Sequence, residues 1–172
     1  IPSGMNFWTI PTAKPFNNLL NITFQFNGNL SASNVNLTAW PLLSDGRGEN
    51  DDSKKKQFKV PFIYPQYSTD LVFVGNAMKG GGCIQGHGYP WWEEEYNKTS
   101  YNAARPNLLQ FTHVHRLVID SLSLFDSPRY HIDLDPAFGV LIQNLKIEVS
   151  IFDQYYLQKK YNKMLHEKVD FP

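Results

Sequence analysis

Two stretches of the chain echo each other at a fixed distance, and that distance limits the possible folds more than any other feature. Leu109 and Phe111 recur as Ile132 and Leu134. Val118, Leu122 and Leu124 recur as Leu141, Leu145 and Ile147, every pair 23 positions apart. Self-similarity at such a period marks stacked units that each bury their apolar face only against a neighbour. The units are strands: "NITFQF" alternates apolar and polar residues with period two, and "FKVPFIY", "DLVFVG", "NLLQF", "RLVIDSLSL", "YHIDL" and "VLIQNLKIEV" follow. Richness in Asn, aromatics, Gly and Pro favours strands and turns over helices. Short strands with tight polar turns exclude helical repeats, and the L-x-x-L-x-L spacing of leucine-rich repeats is not kept. The pattern predicts an all-β parallel β-helix in which Val118, Leu122, Leu124, Ile132, Leu134, Leu141, Leu145 and Ile147 point inward. Leu71-Val72 and Leu117-Val118 stand 46 apart, which reads as one coil carrying a polar insertion at about residues 89 to 105.

A chain of 172 residues forms one core, so residues 1–172 are read as a single β-helix segment. Sixteen basic residues balance sixteen acidic ones, which gives no field for nucleic acid or an anionic membrane. The basic run Lys54-Lys55-Lys56 follows Glu49, Asp51 and Asp52 and reads as a solvated loop. No apolar run reaches the length of a membrane span. Asn21, Asn29, Asn36 and Asn97 each head an N-x-[ST] triplet, the glycosylation acceptor pattern, and lean towards a secreted protein. The lone Cys83 is either a small buried hydrophobe or the partner of a cysteine elsewhere.

Several constellations invite a chemical reading. Asp133 and Asp135 lie two apart on a strand, near the lower limit of the roughly 6.5–9.5 Å that separates the carboxyls of inverting glycosidases. By the repeat they align with Gln110 and Thr112, and Asp135-Pro136 suits the turn after a strand, so the turn reading is preferred. His113 and His115 form H-x-H without a third metal ligand nearby and are read as turn residues. Gly86-His87-Gly88 followed by Trp91 and Trp92 has the look of an active site. Its alternative is a tight turn, the tryptophans either packing an insertion against the helix flank or forming a sugar-stacking platform. Glu93, Glu94 and Glu95 read as a solvated loop. "FDQYYLQKKYNKMLHEK" spaces Leu157, Tyr161, Met164 and Leu165 helically, which predicts a short helical or looped insertion at about 153–168.

With the coils placed, "DLVFVGNAMKGGGCIQGHGYPWW" resembles the polygalacturonase-type glycoside hydrolases, a branch of the pectin-lyase-like right-handed β-helices. Their early coil reads G-x-I-D-G-x-G-x-x-W-W, matched by Gly82 to Trp92. Ile1-Pro2-Ser3-Gly4 resembles the opening P-x-G turn and "FNGNLSASN" the first strand. "RPNLLQF" resembles R-P-x-L-x-x-F, and "LSLFDSPRYHI" the strand ending in N-S-P. Two residues depart from the pattern: Gln85 stands where the family has Asp, and Asp126 where it has Asn. The functional G-H-G of similar enzymes comes later in the chain, so the resemblance makes Gly86-His87-Gly88 a turn.

The resemblance implies a hydrolase of α-1,4 galacturonan or a related acidic pectic polysaccharide, with no cofactor and no metal. One carboxylic acid protonates the glycosidic oxygen while paired carboxylates activate water. In similar proteins a segment like "VDFP" runs into N-T-D-G, then D-D, G-H-G and R-x-K. That succession is not present in these 172 residues, so the expectation is an amino-terminal part without the catalytic carboxylates, its partner being the remaining coils. N-T-D-G directly after Pro172 would favour the enzyme. A coil without acidic residues would favour the alternative, a non-catalytic β-helix that binds polysaccharide or serves as a surface scaffold. Aligning "SPRYHI" with the N-T-D-G-I strand places Arg129, Tyr130 and His131 below the catalytic triplet, with Arg105 and Asn107 one coil further down. These are the expected substrate contacts, unless the arginines brace turns against acids such as Asp126.

Overall fold

A computed structural model describes residues 1–43, 58–76, 82–97 and 105–150. The segments expected at 54–56, 153–168 and 169–172 lie outside these residues. The strands are β1 (Asn6–Thr9), β2 (Phe16–Asn17), β3 (Leu20–Gln25), β4 (Asn29–Ala32), β5 (Pro65–Val74), β6 (Cys83–Gln85), β7 (Leu109–Asp120), β8 (Ser123–Phe125), β9 (Ile132–Leu134), β10 (Ala137–Gln143) and β11 (Lys146–Glu148). All named strands pair in parallel, and each pairs with its counterpart in the next coil. One face stacks β1-β4-β6-β8-β11. A second stacks β3, β5, β7 and β10. A third is formed where the start of β7 meets β9. This is a parallel β-helix.

The repeat read from the sequence is the hydrogen-bond register. Leu109 pairs Ile132, Leu117 pairs Val140 and Leu124 pairs Ile147, each 23 apart. Asn6 pairs Asn29 at the same distance, which carries the repeat into the first coil. Leu71 pairs Leu117, 46 apart as expected, but the additional length is divided. Cys83 pairs Ser123, an offset of 40, so 17 extra residues follow β6, the length of the 89–105 insertion. The other six lie between β5 and β6: Leu71 to Ile84 is 13 residues, where Leu117 to Leu124 is 7. The insertion opens with a helix, α1 (Tyr89–Asn97), whose Trp91 is 3% exposed and packs edge-on against Trp40 at 5.3 Å.

Inside, side chains form columns along the axis. Leu30, Ile84 and Leu124 make one; Leu71 and Leu117 another; Phe24, Phe73 and Ile119 a third. Leu122 and Leu124 are fully buried, as expected, and Ile132 and Leu145 pack against the core. Leu134 and Ile147 continue the columns of Phe111 and Leu124 but belong to the last described coil and are 40% and 51% exposed. Val118 and Leu141 differ from expectation. Leu117 and Ile119 on either side of Val118 are buried, Val118 is intermediate, and Leu141 is 49% exposed.

The cause is the corners. Interior residues run 109, 111, 114, 117, 119, 122 and 124, and the steps of three straddle His113, Arg116 and Ser121, all at positive φ. Each left-handed residue consumes one outward position and reverses the phase of the alternation. These corners also stack. Asn21, Asp70, Arg116 and Gly139 occupy one register position; Asn18, Tyr67 and His113 a second; Ser121 and Asn144 a third.

The inward and outward assignment is testable by unfolding. Leu117→Ala removes a fully buried column member and is expected to cost about 2–5 kcal/mol. Val118→Ala, one residue along, is expected to cost about 1 kcal/mol or less. Equal losses in denaturant melts would mean the two faces are assigned wrongly.

Candidate functional site

The turn from Asp126 to His131, between β8 and β9, organises the site. Asp126 has φ +46 and is 9% exposed. Its Oδ2 accepts from Gln85 Nε2 and its Oδ1 from the Ser150 N–H, both at 2.6 Å. Gln85 and Asp126 are the two residues that depart from the family pattern, and here they bond to each other. Nothing in the linear sequence signals this pairing of residues 41 apart.

Gly86-His87-Gly88 is a turn that fits against this one. Gly86 N donates to Phe125 O at 2.8 Å and Gly88 N to Asp126 O at 2.7 Å. A Cβ on Gly86 would stand 2.5 Å from Asp126 O, and one on Gly88 2.5 Å from Trp92 Cζ2 and 2.8 Å from Asp126 O. These are contacts that only glycine allows. His87 lies at φ +47 with its ring stacked on Trp8, centroids 4.5 Å apart, and burial lowers its pKa against the opposing charge of Asp126. Trp91 is buried rather than presented as a platform, and Trp92 Nε1 donates to Pro128 O at 2.9 Å. Glu93 belongs to α1 and is half-buried. Cys83 forms no disulfide among the described residues, and burial pushes its thiol up to about 11, which makes it a poor nucleophile.

The same turn forms one wall of a pocket of about 160 Å³ on the β9 face. Arg105, Asn107 and Arg129 line it with Gln110, Asp133 and Asp135. Three of the five expected contacts thus meet there. Arg105 Nη1 donates to Pro128 O at 3.0 Å. Asn107 Nδ2 reaches Asp133 Oδ2 at 2.7 Å and Gln110 Oε1 at 3.0 Å, so it ties two coils together. Arg129 is exposed, its guanidinium 4.7 Å from the centre of the Tyr130 ring. Tyr130 stands outside the lining and is 54% exposed. His131 also stands outside it: its Nε2 accepts from Ser127 N at 3.4 Å, and burial lowers its pKa, opposed by Glu148 and Asp126. Asp133 lies in β9 and Asp135 in the turn that follows, its N–H bonded to Phe111 O at 2.8 Å. The turn reading of Asp135 therefore stands, yet the repeat that stacks Asp133 on Gln110 also brings both carboxylates into the pocket.

No cluster of three or more His, Cys, Asp or Glu able to hold a metal occurs among the described residues. His113 and His115 belong to β7 and stack on Tyr67 and Phe138. Of the glycosylation acceptors, Asn21 is exposed, and Asn29 donates its Nδ2 to Asn6 at 2.7 Å. Asn36 caps the 3-10 turn Leu37–Ala39, and the side chain of Asn97 lies outside the described residues.

The fold is thus a parallel β-helix that carries a pocket of arginines, amides and carboxylates on one sheet face. Residues 13–155 match the glycosyl hydrolases family 28, and the chain belongs to that family. It is 32% identical over 73 residues to a probable polygalacturonase of Arabidopsis thaliana and 29% identical to a polygalacturonase of Persea americana. A second probable polygalacturonase of Arabidopsis thaliana is 33% identical. The matched stretch covers 41–42% of this chain and 14–16% of each relative. No solved structure matches significantly. No helix among the described residues is long and apolar enough to cross a membrane.

Two outcomes check this reading of the turn. Gly88→Ala forces a Cβ into Trp92 and the Asp126 carbonyl and is expected to cost about 1–3 kcal/mol or more in urea unfolding. His87 and His131 have folded pKa values below the ordinary 6.5. Their contribution is therefore complete above the unfolded pKa and declines as pH falls below it, because the unfolded chain then binds more protons. The melting temperature is expected to drop between about pH 7 and pH 5. In His87→Asn, which also tolerates left-handed backbone, that slope should be shallower; an unchanged slope would remove His87 from this account.

Proposed function

We propose that this chain supplies the amino-terminal coils of a secreted pectin-degrading glycoside hydrolase acting on α-1,4 galacturonan or a related polymer. The reacting carboxylates are supplied by coils outside these 172 residues, and the pocket on the β9 face holds the polymer alongside them. The observation that carries this reading is the convergence of Arg105, Asn107 and Arg129 in one pocket of a family 28 chain. Guanidinium groups match carboxylates in bidentate geometry, and an acidic polysaccharide laid along the sheet face needs such donors. Tyr130 flanks Arg129 at the exposed rim, and His131 holds the turn that aims both. Exposed Asn21 and Asn36 suit glycan attachment in a secreted or cell-wall protein.

The test uses the full-length protein. Arg129→Ala is expected to raise KM for polygalacturonate about tenfold, the loss of one charge-assisted contact, with a smaller effect on a neutral glucan. His131→Ala should raise it less. Unchanged KM in Arg129→Ala would move substrate away from this pocket. Absence of reducing-end release from any pectic polymer by the wild type would favour a non-catalytic β-helix.

A further inference from the structure

Asn107 lines the pocket on the β9 face and is 6% exposed, yet its amide has no donor left for a ligand. Nδ2 donates to Asp133 Oδ2 at 2.7 Å and to Gln110 Oε1 at 3.0 Å, which uses both of its hydrogens. Oδ1 accepts from the Tyr130 N–H at 3.4 Å. A carboxylate only accepts and a backbone N–H only donates, so the partners at both ends fix which way the Asn107 amide faces. That orientation in turn fixes Gln110. Its Oε1 is turned to Asn107, which leaves Nε2 on the other side of the amide with no protein partner among the described residues.

Gln110 and Asp133 are half-buried pocket residues paired in register between β7 and β9. With Gln110 Oε1 and Asp133 Oδ2 held by Asn107, the pair offers one donor, Gln110 Nε2, and one acceptor, Asp133 Oδ1. Groups paired in register on neighbouring strands stand about 4.8 Å apart. A hydroxyl that accepts at about 2.9 Å and donates at about 2.7 Å spans about 4.6 Å at its tetrahedral angle. A carboxylate or carbonyl group has no proton for Asp133, and an ammonium has no lone pair for Gln110. A sugar hydroxyl has both.

We infer that Gln110 and Asp133 form a subsite for one ring hydroxyl of the polymer, and that Asn107 is the positioning residue that sets its polarity. The hydroxyl accepts from Gln110 and donates to Asp133, so a polymer unit whose ring hydroxyls are O-acylated binds less tightly there. This rests on the glycan-binding role proposed above for the same pocket.

The experiment measures the affinity of the full-length protein for polygalacturonate and for the same polymer O-acetylated on its ring hydroxyls, with a thermal melt of every variant. Wild type is expected to bind the unmodified polymer about five- to tenfold more tightly, since acetylation leaves the Asp133 oxygen without a donor. In Asn107→Asp/Asp133→Asn the carboxylate at position 107 still accepts from the Tyr130 N–H and from the amide at 133, and Gln110 turns its Nε2 inward to reach it. That variant is expected to melt with wild type, while the outward oxygen of Gln110 no longer donates to the hydroxyl. Its affinity for polygalacturonate should fall about fivefold and its preference shrink to about twofold or less. If it melts well below wild type, Gln110→Ala carries the test: affinity for polygalacturonate falls about fivefold, and affinity for the acetylated polymer changes by less than about twofold. Wild type that binds both polymers equally, or a stably folded variant that keeps the full preference, overturns the inference. A loss of binding in Arg129→Ala with none in Gln110→Ala overturns it and leaves the glycan-binding role standing. Wild type that binds neither polymer overturns both.

Discussion

Everything in this molecule depends on the hydrogen-bond register that sets each strand residue over its counterpart in the next coil, 23 positions on where no insertion intervenes. Backbone groups of each strand are satisfied by the coil above and the coil below, so the register is imposed by the need to pair buried peptide groups. Once it holds, side chains at one position meet their equivalents in the next coil, inside and outside alike. The interior columns of Leu, Ile and Phe are one consequence. The exterior pairs at the corners are another. Tyr67 stacks on His113 at 4.9 Å, Asp70 forms a two-pronged ion pair with Arg116, and Asp120 accepts from Ser121, Gln143 and Asn144. Most of these partners lie at or beside left-handed corner residues, whose strain on a non-glycine residue amounts to roughly 1–2 kcal/mol. The contacts between coils offset that strain. Arg116 holds the Asp70 carboxyl below the usual carboxylate range, and hydrogen bonds do the same for Asp120.

The sequence made some of this legible and hid the rest for a physical reason. The repeat was visible because the offset between similar residues and the offset between paired residues are one quantity. The phase of burial was not visible across corners. A glycine or asparagine announces a left-handed backbone, but His113, Arg116 and Tyr67 do not, so alternation carried through Arg116 to Ser121 turns Val118 inward when it faces out. The insertion after β6 is legible in place and length, but six further residues between β5 and β6 are not. A long polar loop is conspicuous, whereas so short an extension is not. At the site, Arg105, Asn107 and Arg129 were reached by stacking motifs in register, and that procedure works because stacking is what the fold does. Gln110, Asp133 and Asp135 were passed over, since aligning a residue with a non-catalytic type says nothing about what the two build together.

The turn from Asp126 to His131 shows how the scaffold positions one wall of the pocket. Pro128 O accepts from Trp92 Nε1 and from Arg105 Nη1, while Ser127 Oγ donates to Tyr130 O. The insertion, the segment leading into β7 and the turn are therefore pinned at one carbonyl. Arg129 follows directly, so the course of its backbone is set by groups from three parts of the chain.

The bond between Gln85 and Asp126 meets a fixed requirement. A carboxylate that is nine-tenths buried needs hydrogen-bond donors. Asp126 receives the Gln85 amide and the Ser150 N–H, one on each oxygen. The first of these bonds joins β6 to the turn after β8. Sterics set the requirement at Gly86 and Gly88, where the neighbouring turn passes within 2.5–3.0 Å of any added carbon. Of the features in this stretch that resemble a catalytic motif, the glycines answer to sterics and Gln85 to a hydrogen bond, and His87 fills the turn between them.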